Sequence, residues 1–166
     1  MTIPWTPEMR SRLCLFGLFL LSLAGFAQEK PGEAVNLDRV EIKGDAFPGG
    51  KVVAVIQARV AKGYHVHSNR PSDPRYIGTR LTLEATAGAK LGNVAYPKGK
   101  LEKVAGLDQP LSVYEGSFEI SVPLGLGAAA KLPLTIPATL TFQACRGAVC
   151  YKPQKLTFAI VLPARP

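Results

Sequence analysis

Along most of its length the chain repeats with a period of two, the signature of strands with one buried face. "VNLDRVEIK" alternates apolar and polar positions from Val35 to Lys43, and turn chemistry follows in "GDAFPGG". "KVVAVIQARVA" (51–61) is long and β-branched. "KGYHVHSNRPSDP" (62–74) extends that strand briefly and then becomes a loop. Alternation resumes in "TRLTLEAT" (79–86) and in "SVYEGSFEISVPL" (112–124), where Glu and Ser take the outward positions. Two final strands are predicted in "LPLTIPATLTFQAC" (132–145) and "YKPQKLTFAIVLP" (151–163). The stretch "AYPKGKLEKVAGLDQPL" (95–111) reads as irregular, and "GLGAAAKL" (125–132) forms one helical turn at most. Fourteen prolines spread through the sequence argue further against long helices. The pattern predicts an all-β fold of seven to nine short strands, an antiparallel sandwich of immunoglobulin-like type, with a closed barrel as the alternative.

The first 27 residues break this pattern. Arg10 and Arg12 precede an apolar run, "LCLFGLFLLSLA", and small residues at Gly25 and Ala27 precede the polar "QEKPGE". That layout predicts a cleavable signal peptide over 1–27, a loose tail over 28–34 and one domain over 35–166. The run is short for a membrane span, which needs about 20 residues, and no later segment is long and apolar enough. The product is expected in the periplasm or secreted, with no membrane span after cleavage. Cys14 lies at the start of the apolar run, where a lipid-attachment cysteine would not sit, and it leaves with the leader.

Of 20 Lys and Arg and 12 Asp and Glu, the leader removes Arg10, Arg12 and Glu8, leaving 18 against 11 and a net charge of +7. The basic residues are scattered, with no run and no aromatic interleaving. They act as a solubility and encounter field, and no nucleic-acid partner is expected. About 139 residues remain, enough for a full core without a covalent staple.

Two cysteines are left, Cys145 and Cys150, in "TFQACRGAVCYKP". If "RGAV" is a four-residue connection between the last two strands, the cysteines face each other across a hairpin. Cα atoms of such neighbours lie roughly 4.5–5.5 Å apart, within reach of a disulfide. Closing so small a loop adds only roughly 2 kcal/mol by the chain-entropy argument. Reactivity therefore explains the pair better than stability does, and flanking Arg146 and Lys152 would favour a thiolate. An inert local disulfide remains the alternative. A metal reading is also open: His65 and His67 in "HVH" share one side of a strand, and with two thiolates they would suit zinc or copper. The spacing matches no standard zinc motif, and an isolated His-x-His on a strand edge is commonly exposed surface. No metal and no cofactor are assigned.

"YEGSFEISVPL" together with "TLTFQACRGAVCYKPQKLTF" resembles the N-terminal periplasmic domain of the DsbD family of thiol:disulfide interchange proteins. The resemblance is carried by Phe142 and Gln143 before Cys145, then by Cys150, Tyr151 and Pro153, with Gly63 and Tyr64 as a further strand-end match. It implies an immunoglobulin-like sandwich with a redox-active pair that exchanges electrons with thioredoxin-like or membrane-embedded thiol oxidoreductases, a reaction of the protein-disulfide reductase class. It assigns partner attack to Cys150 and resolution to Cys145. It also implies a cap loop over the pair, here Leu107, Asp108, Gln109 and Pro110, with Leu107 in place of a shielding aromatic. A family tyrosine near the pair is replaced by His67 or His65, either of which would handle a proton during exchange, the alternative being a surface His with no role. Family members continue into a membrane domain and a thioredoxin-like domain. A chain ending at Pro166 is therefore expected to act as a stand-alone, monomeric exported domain with its electron donor supplied in trans.

Overall fold

The structure, a computed structural model, describes residues 34–164. The expected leader, with Cys14, and residues 28–33 of the expected tail lie outside the described residues. The described chain opens at Ala34, which is buried and whose carbonyl accepts from the Ala61 N–H.

Twelve strands are formed among the described residues: β1 Val35–Lys43, β2 Lys51–Val60, β3 His65–His67, β4 Arg80–Leu83, β5 Ala89–Leu91, β6 Lys100–Glu102, β7 Leu111–Tyr114, β8 Ser117–Leu126, β9 Leu134–Phe142, β10 Ala144–Arg146, β11 Val149–Cys150 and β12 Gln154–Leu162. This exceeds the seven to nine expected, because β5 and β6 are three-residue strands, too short to show a period, and β6 falls inside the stretch read as irregular. β3 is not an extension of β2. The chain turns at Gly63, where φ is +83°, and enters the other layer.

One layer has the order β1-β2-β8-β5. The other is assembled from two ladders, β11-β10-β3-β7-β6 and β12-β9-β4. These ladders share a path, since β10 continues β9 after Gln143, β11 leads into β12, and the His67 N–H donates to the Gln143 carbonyl. Every pairing is antiparallel. The molecule is an all-β, immunoglobulin-like antiparallel sandwich, as the period-two pattern predicts. Among the described residues no helix is long and apolar enough to cross a membrane.

The core lies between the layers. β8 buries Phe118, Ile120, Val122, Leu124 and Leu126 in strict alternation. β9 answers with Ile136, Ala138, Leu140 and Phe142, and β12 with Ile160 and Leu162. Each fully buried Ile or Leu contributes roughly 1.5–3 kcal/mol of transfer free energy, so the long strands β2, β8, β9 and β12 form the rigid body to which the shorter ones attach.

Candidate functional site: a cross-strand disulfide against a buried histidine

The cysteine-bearing hairpin is an overhang of β9 and β12. Phe142 pairs with Gln154 and Cys145 pairs with Cys150. Between those two rungs, 143–144 on one strand oppose 151–153 on the other. That one extra residue is a bulge, and a bulge shifts which side chains share a face. Pro153, with no N–H to give the ladder, sits within it, exposed to solvent. Gln143 splices the gap. Its Nε2 donates to the Tyr151 carbonyl at 3.2 Å, and its Oε1 accepts from the Ile77 N–H at 3.0 Å.

The turn is tighter than the four-residue loop expected. Arg146 pairs with Val149, leaving only Gly147 and Ala148 as the connection. Gly147 has φ +56°, while among the described residues no non-glycine residue has positive φ, so glycine fills the first central position of a two-residue hairpin turn. A Cβ there would meet nothing within 4 Å, which makes the backbone angle the reason for glycine.

Cys145 and Cys150 are joined by a disulfide, with Cα atoms 3.9 Å apart, closer than the spacing expected from ordinary strand neighbours. Directly opposed residues point to the same face. The inward face at this level is given by Ala144 and Val66, which pair and belong to the core cluster. The disulfide therefore lies on the outer face of its layer, at one end of the sandwich. Cys145 is nonetheless 0% exposed, whereas Cys150 is half-buried. Of the two cysteines, Cys150 is the one with surface open to solvent.

His67 covers Cys145. Its Nε2 lies 3.4 Å from Cys145 Sγ and 3.7 Å from Cys150 Sγ. The ring is 0% exposed and stacks on Tyr76, with centroids 4.2 Å apart and planes 17° from parallel. Burial, with a smaller contribution from His65, lowers the His67 pKa to about 4, so the imidazole is neutral at physiological pH. His65 sits opposite Cys145 in the ladder, its ring edge-on to His67 at 6.2 Å. It too is buried, and burial lowers its pKa against the opposing pull of Glu115 and Glu102. The reading of the His-x-His pair as exposed strand-edge surface is thus corrected. β3 is an interior strand of its ladder, and the loop carrying Tyr76 roofs it. That loop is pinned by Thr79, whose N–H and hydroxyl both donate to the His67 carbonyl.

The remaining expected residues form a border. The Arg146 guanidinium lies over the Tyr64 ring, 4.9 Å from its centroid, and Tyr64 tilts against Tyr151 at 5.9 Å. Leu107, Asp108 and Gln109 line a cleft with Asp73, Arg75 and Tyr76. The expected cap segment therefore stands next to the ring that covers His67, one layer out from the sulfurs. Pro110 precedes β7 and lies beside that segment. Sequence reasoning missed Tyr76 altogether. Its only signal is an aromatic residue set among turn-forming Pro and Asp in "SDPRYIG". The sequence marked Gln143 as a landmark but not as the splice between loop and hairpin.

Among the described residues, His67, Cys145 and Cys150 form a group whose three potential ligand atoms lie within 4.8 Å of one another.

No curated protein matches the chain by sequence. Among solved structures, the reduced N-terminal domain of DsbD from Neisseria meningitidis is similar at 22% identity and a TM-score of 0.48, over 80% of this chain and 88% of that one. The N-terminal periplasmic domain of ScsB from Proteus mirabilis is similar at 14% identity and a TM-score of 0.56, over 78% of this chain and 47% of that one. This chain thus spans about half the ScsB domain's length. The latter likeness is one of fold. Residues 36–162 match the family described as thiol:disulfide interchange protein DsbD, N-terminal, and the match takes in both cysteines and, among the described residues, all of β2 to β12 with all but the first residue of β1. The chain belongs to the DsbD N-terminal domain family.

Proposed function

We propose that this protein is a thiol:disulfide exchange domain acting outside the cytoplasm, in the periplasm, with thioredoxin-like or membrane-embedded thiol oxidoreductases as partners. Family membership supports the reaction class. The observation that carries the reading for this chain is the asymmetry of its disulfide, with one sulfur half-buried and approachable and the other sealed beneath a neutral imidazole.

The steps follow from that asymmetry. A partner thiolate attacks Cys150 Sγ. The intramolecular S–S bond breaks, its electron pair leaves with Cys145, and a mixed disulfide joins the partner to Cys150. Cys145 Sγ then carries charge in a buried place, where a lone thiolate is costly. His67 Nε2, 3.4 Å away, is placed to donate a hydrogen bond to it in the tautomer that carries the ring proton on that nitrogen. A second thiolate of the partner attacks the partner's own sulfur in the mixed disulfide; Cys150 leaves with the electron pair and takes up a proton, so the partner ends as a disulfide and the domain as a dithiol. The dithiol passes its two electrons to a target disulfide by the reverse sequence. No cofactor enters. Arg146 and Tyr64, held together beside the hairpin, give the approaching partner a cationic and aromatic border.

Paired serine substitutions test this. With Cys145→Ser, a mixed disulfide with a thioredoxin-like partner should form through Cys150 and accumulate on a non-reducing gel. With Cys150→Ser it should not, and equal trapping by both would overturn the order. Equilibration in a glutathione series supplies the second criterion. A potential well below roughly −300 mV would mark the bond as an inert staple.

A further inference from the structure

Past the expected leader, which carries Cys14, the sequence offers four soft or borderline ligands, Cys145, Cys150, His65 and His67, without saying which of them meet. The fold separates them. His67 Nε2 faces both sulfurs, at 3.4 and 3.7 Å, whereas His65 stands outside the group whose ligand atoms converge. We propose that the reduced protein binds one Cu(I) ion through Cys145 Sγ, Cys150 Sγ and His67 Nε2. This rests on the exchange reading only in requiring that the disulfide can be opened.

Geometry is the first support. Thiolates and imidazoles bind ions of this size at about 2.3 and 2.0–2.1 Å. A three-coordinate planar centre then has N···S separations of about 3.8 Å and an S···S separation of about 4.0 Å. The two N···S distances already lie near that value in the disulfide form. Only the sulfurs must part, which breaking their bond does. The cysteines sit on directly opposed positions of adjacent strands, so both sulfurs stay on the same outer face after they part.

Ligand number and character are the second. Two thiolates and one imidazole make a soft set of three that Cu(I) accepts with nothing further, whereas Zn²⁺ on the same three protein ligands must add a water or substrate in a fourth position. Among the described residues no fourth protein ligand joins the convergent set. Cys145 and His67 are both fully buried, and the Tyr76 ring lies flat on the imidazole, so the site is dry on the side away from Cys150. A low-water, three-donor pocket favours the monovalent ion.

The chemistry balances. A reducing dithiol gives two electrons to the Cys145–Cys150 bond and becomes a disulfide itself, while the two freed sulfurs take up two protons. Cu(I) then displaces both protons and accepts a lone pair from neutral His67 Nε2. The bound unit carries one negative charge beside Arg146, the residue that follows Cys145. Occupied by the ion, neither sulfur is free to attack a disulfide. The same pair is therefore either an exchange centre or a metal site, never both at once.

The test begins with the full exported chain, reduced, freed of reductant under anaerobic conditions, and counted for thiols. Two thiols are expected; none after strong reduction overturns both the exchange reading and this one. Cu(I) is then added in competition with bicinchoninate. One equivalent should pass to the reduced protein and none to the disulfide form or to Cys145→Ala/Cys150→Ala. X-ray absorption of the wild-type complex should show two sulfur and one nitrogen neighbour. His67→Leu should weaken binding about tenfold or more and leave a two-sulfur spectrum, while His65→Ala should change neither. Failure of the reduced protein to withdraw copper, a wild-type spectrum without nitrogen, or preferred uptake of Zn²⁺ at the same residues would overturn the assignment while leaving two exchangeable thiols intact.

Discussion

His67 and Cys145 are separated by 78 positions in the chain, yet the imidazole Nε2 rests 3.4 Å from the sulfur. β3 and β10 are adjacent strands of one ladder, with Cys145 paired to His65. Their contact makes the two ends of the disulfide unequal: Cys145 is fully buried beside the imidazole, whereas Cys150 keeps part of its surface in solvent.

Acid sensitivity follows from the same burial. In the disulfide-bonded protein the His67 pKa is lowered to about 4, against an ordinary value near 6.5. Between those values the unfolded chain takes up a proton that the folded one refuses, so folding stability falls as pH drops from about 6.5 toward 4. The loss from this group approaches about 3 kcal/mol at the lower end. His65, also lowered, adds in the same direction. Urea denaturation between pH 7.5 and 4 should show the slope, and His67→Leu should flatten it. A slope unchanged in that variant would assign the acid effect elsewhere.

Tyr76 is the roof of the site. Tyr76→Ala removes the ring stacked on His67 and opens the imidazole, and Cys145 behind it, to water. The rate at which a small thiol such as dithiothreitol reduces the disulfide should rise several-fold, with a stability cost of about 1 kcal/mol for the lost aromatic contact. Tyr76→Phe keeps the ring and should behave as wild type. If Tyr76→Ala leaves the reduction rate unchanged, the loop does not shield the bond.

Gln143 binds the Tyr151 carbonyl with one end of its amide and the Ile77 N–H with the other. Gln143→Ala frees both the hairpin base and the roof loop. A stability loss of about 1–3 kcal/mol is expected for two backbone groups left without their partner. Hydrogen exchange should quicken at Ile77 while the β9–β12 ladder stays protected. Quickening spread evenly through the sandwich would mean that Gln143 supports the whole fold and not this junction.

The sequence carried the frame of the molecule further than it carried the site. The alternation in "SFEISVPLGL" reappears residue for residue in the burial of β8, because a ten-residue strand gives the period room to show. β5 and β6 escape notice because three residues cannot display it. The facing of Cys145 and Cys150 was legible, since their spacing allows a hairpin, but the one-residue bulge at 151–153 was not. It depends on where Phe142 and Gln154 lock into register, which is decided by the whole β9–β12 ladder. The burial of His67 was illegible for a different reason. An imidazole carries no mark of its surroundings, and what covers it comes from a loop nine residues further along the chain. The resemblance singled out His65 and His67 together; only the pairing of β3 with β10 tells them apart.

The paired residues Ala144 and Val66 turn inward at the level of the disulfide and belong to the core cluster, while the sulfurs turn outward. Gaining or losing two electrons therefore leaves the buried apolar area of the sandwich nearly constant. Heat capacity of unfolding, which scales with that area, should be almost the same for the two forms. The sandwich thus carries its disulfide like a replaceable tip on a fixed handle, where opening the bond asks little of the packed interior.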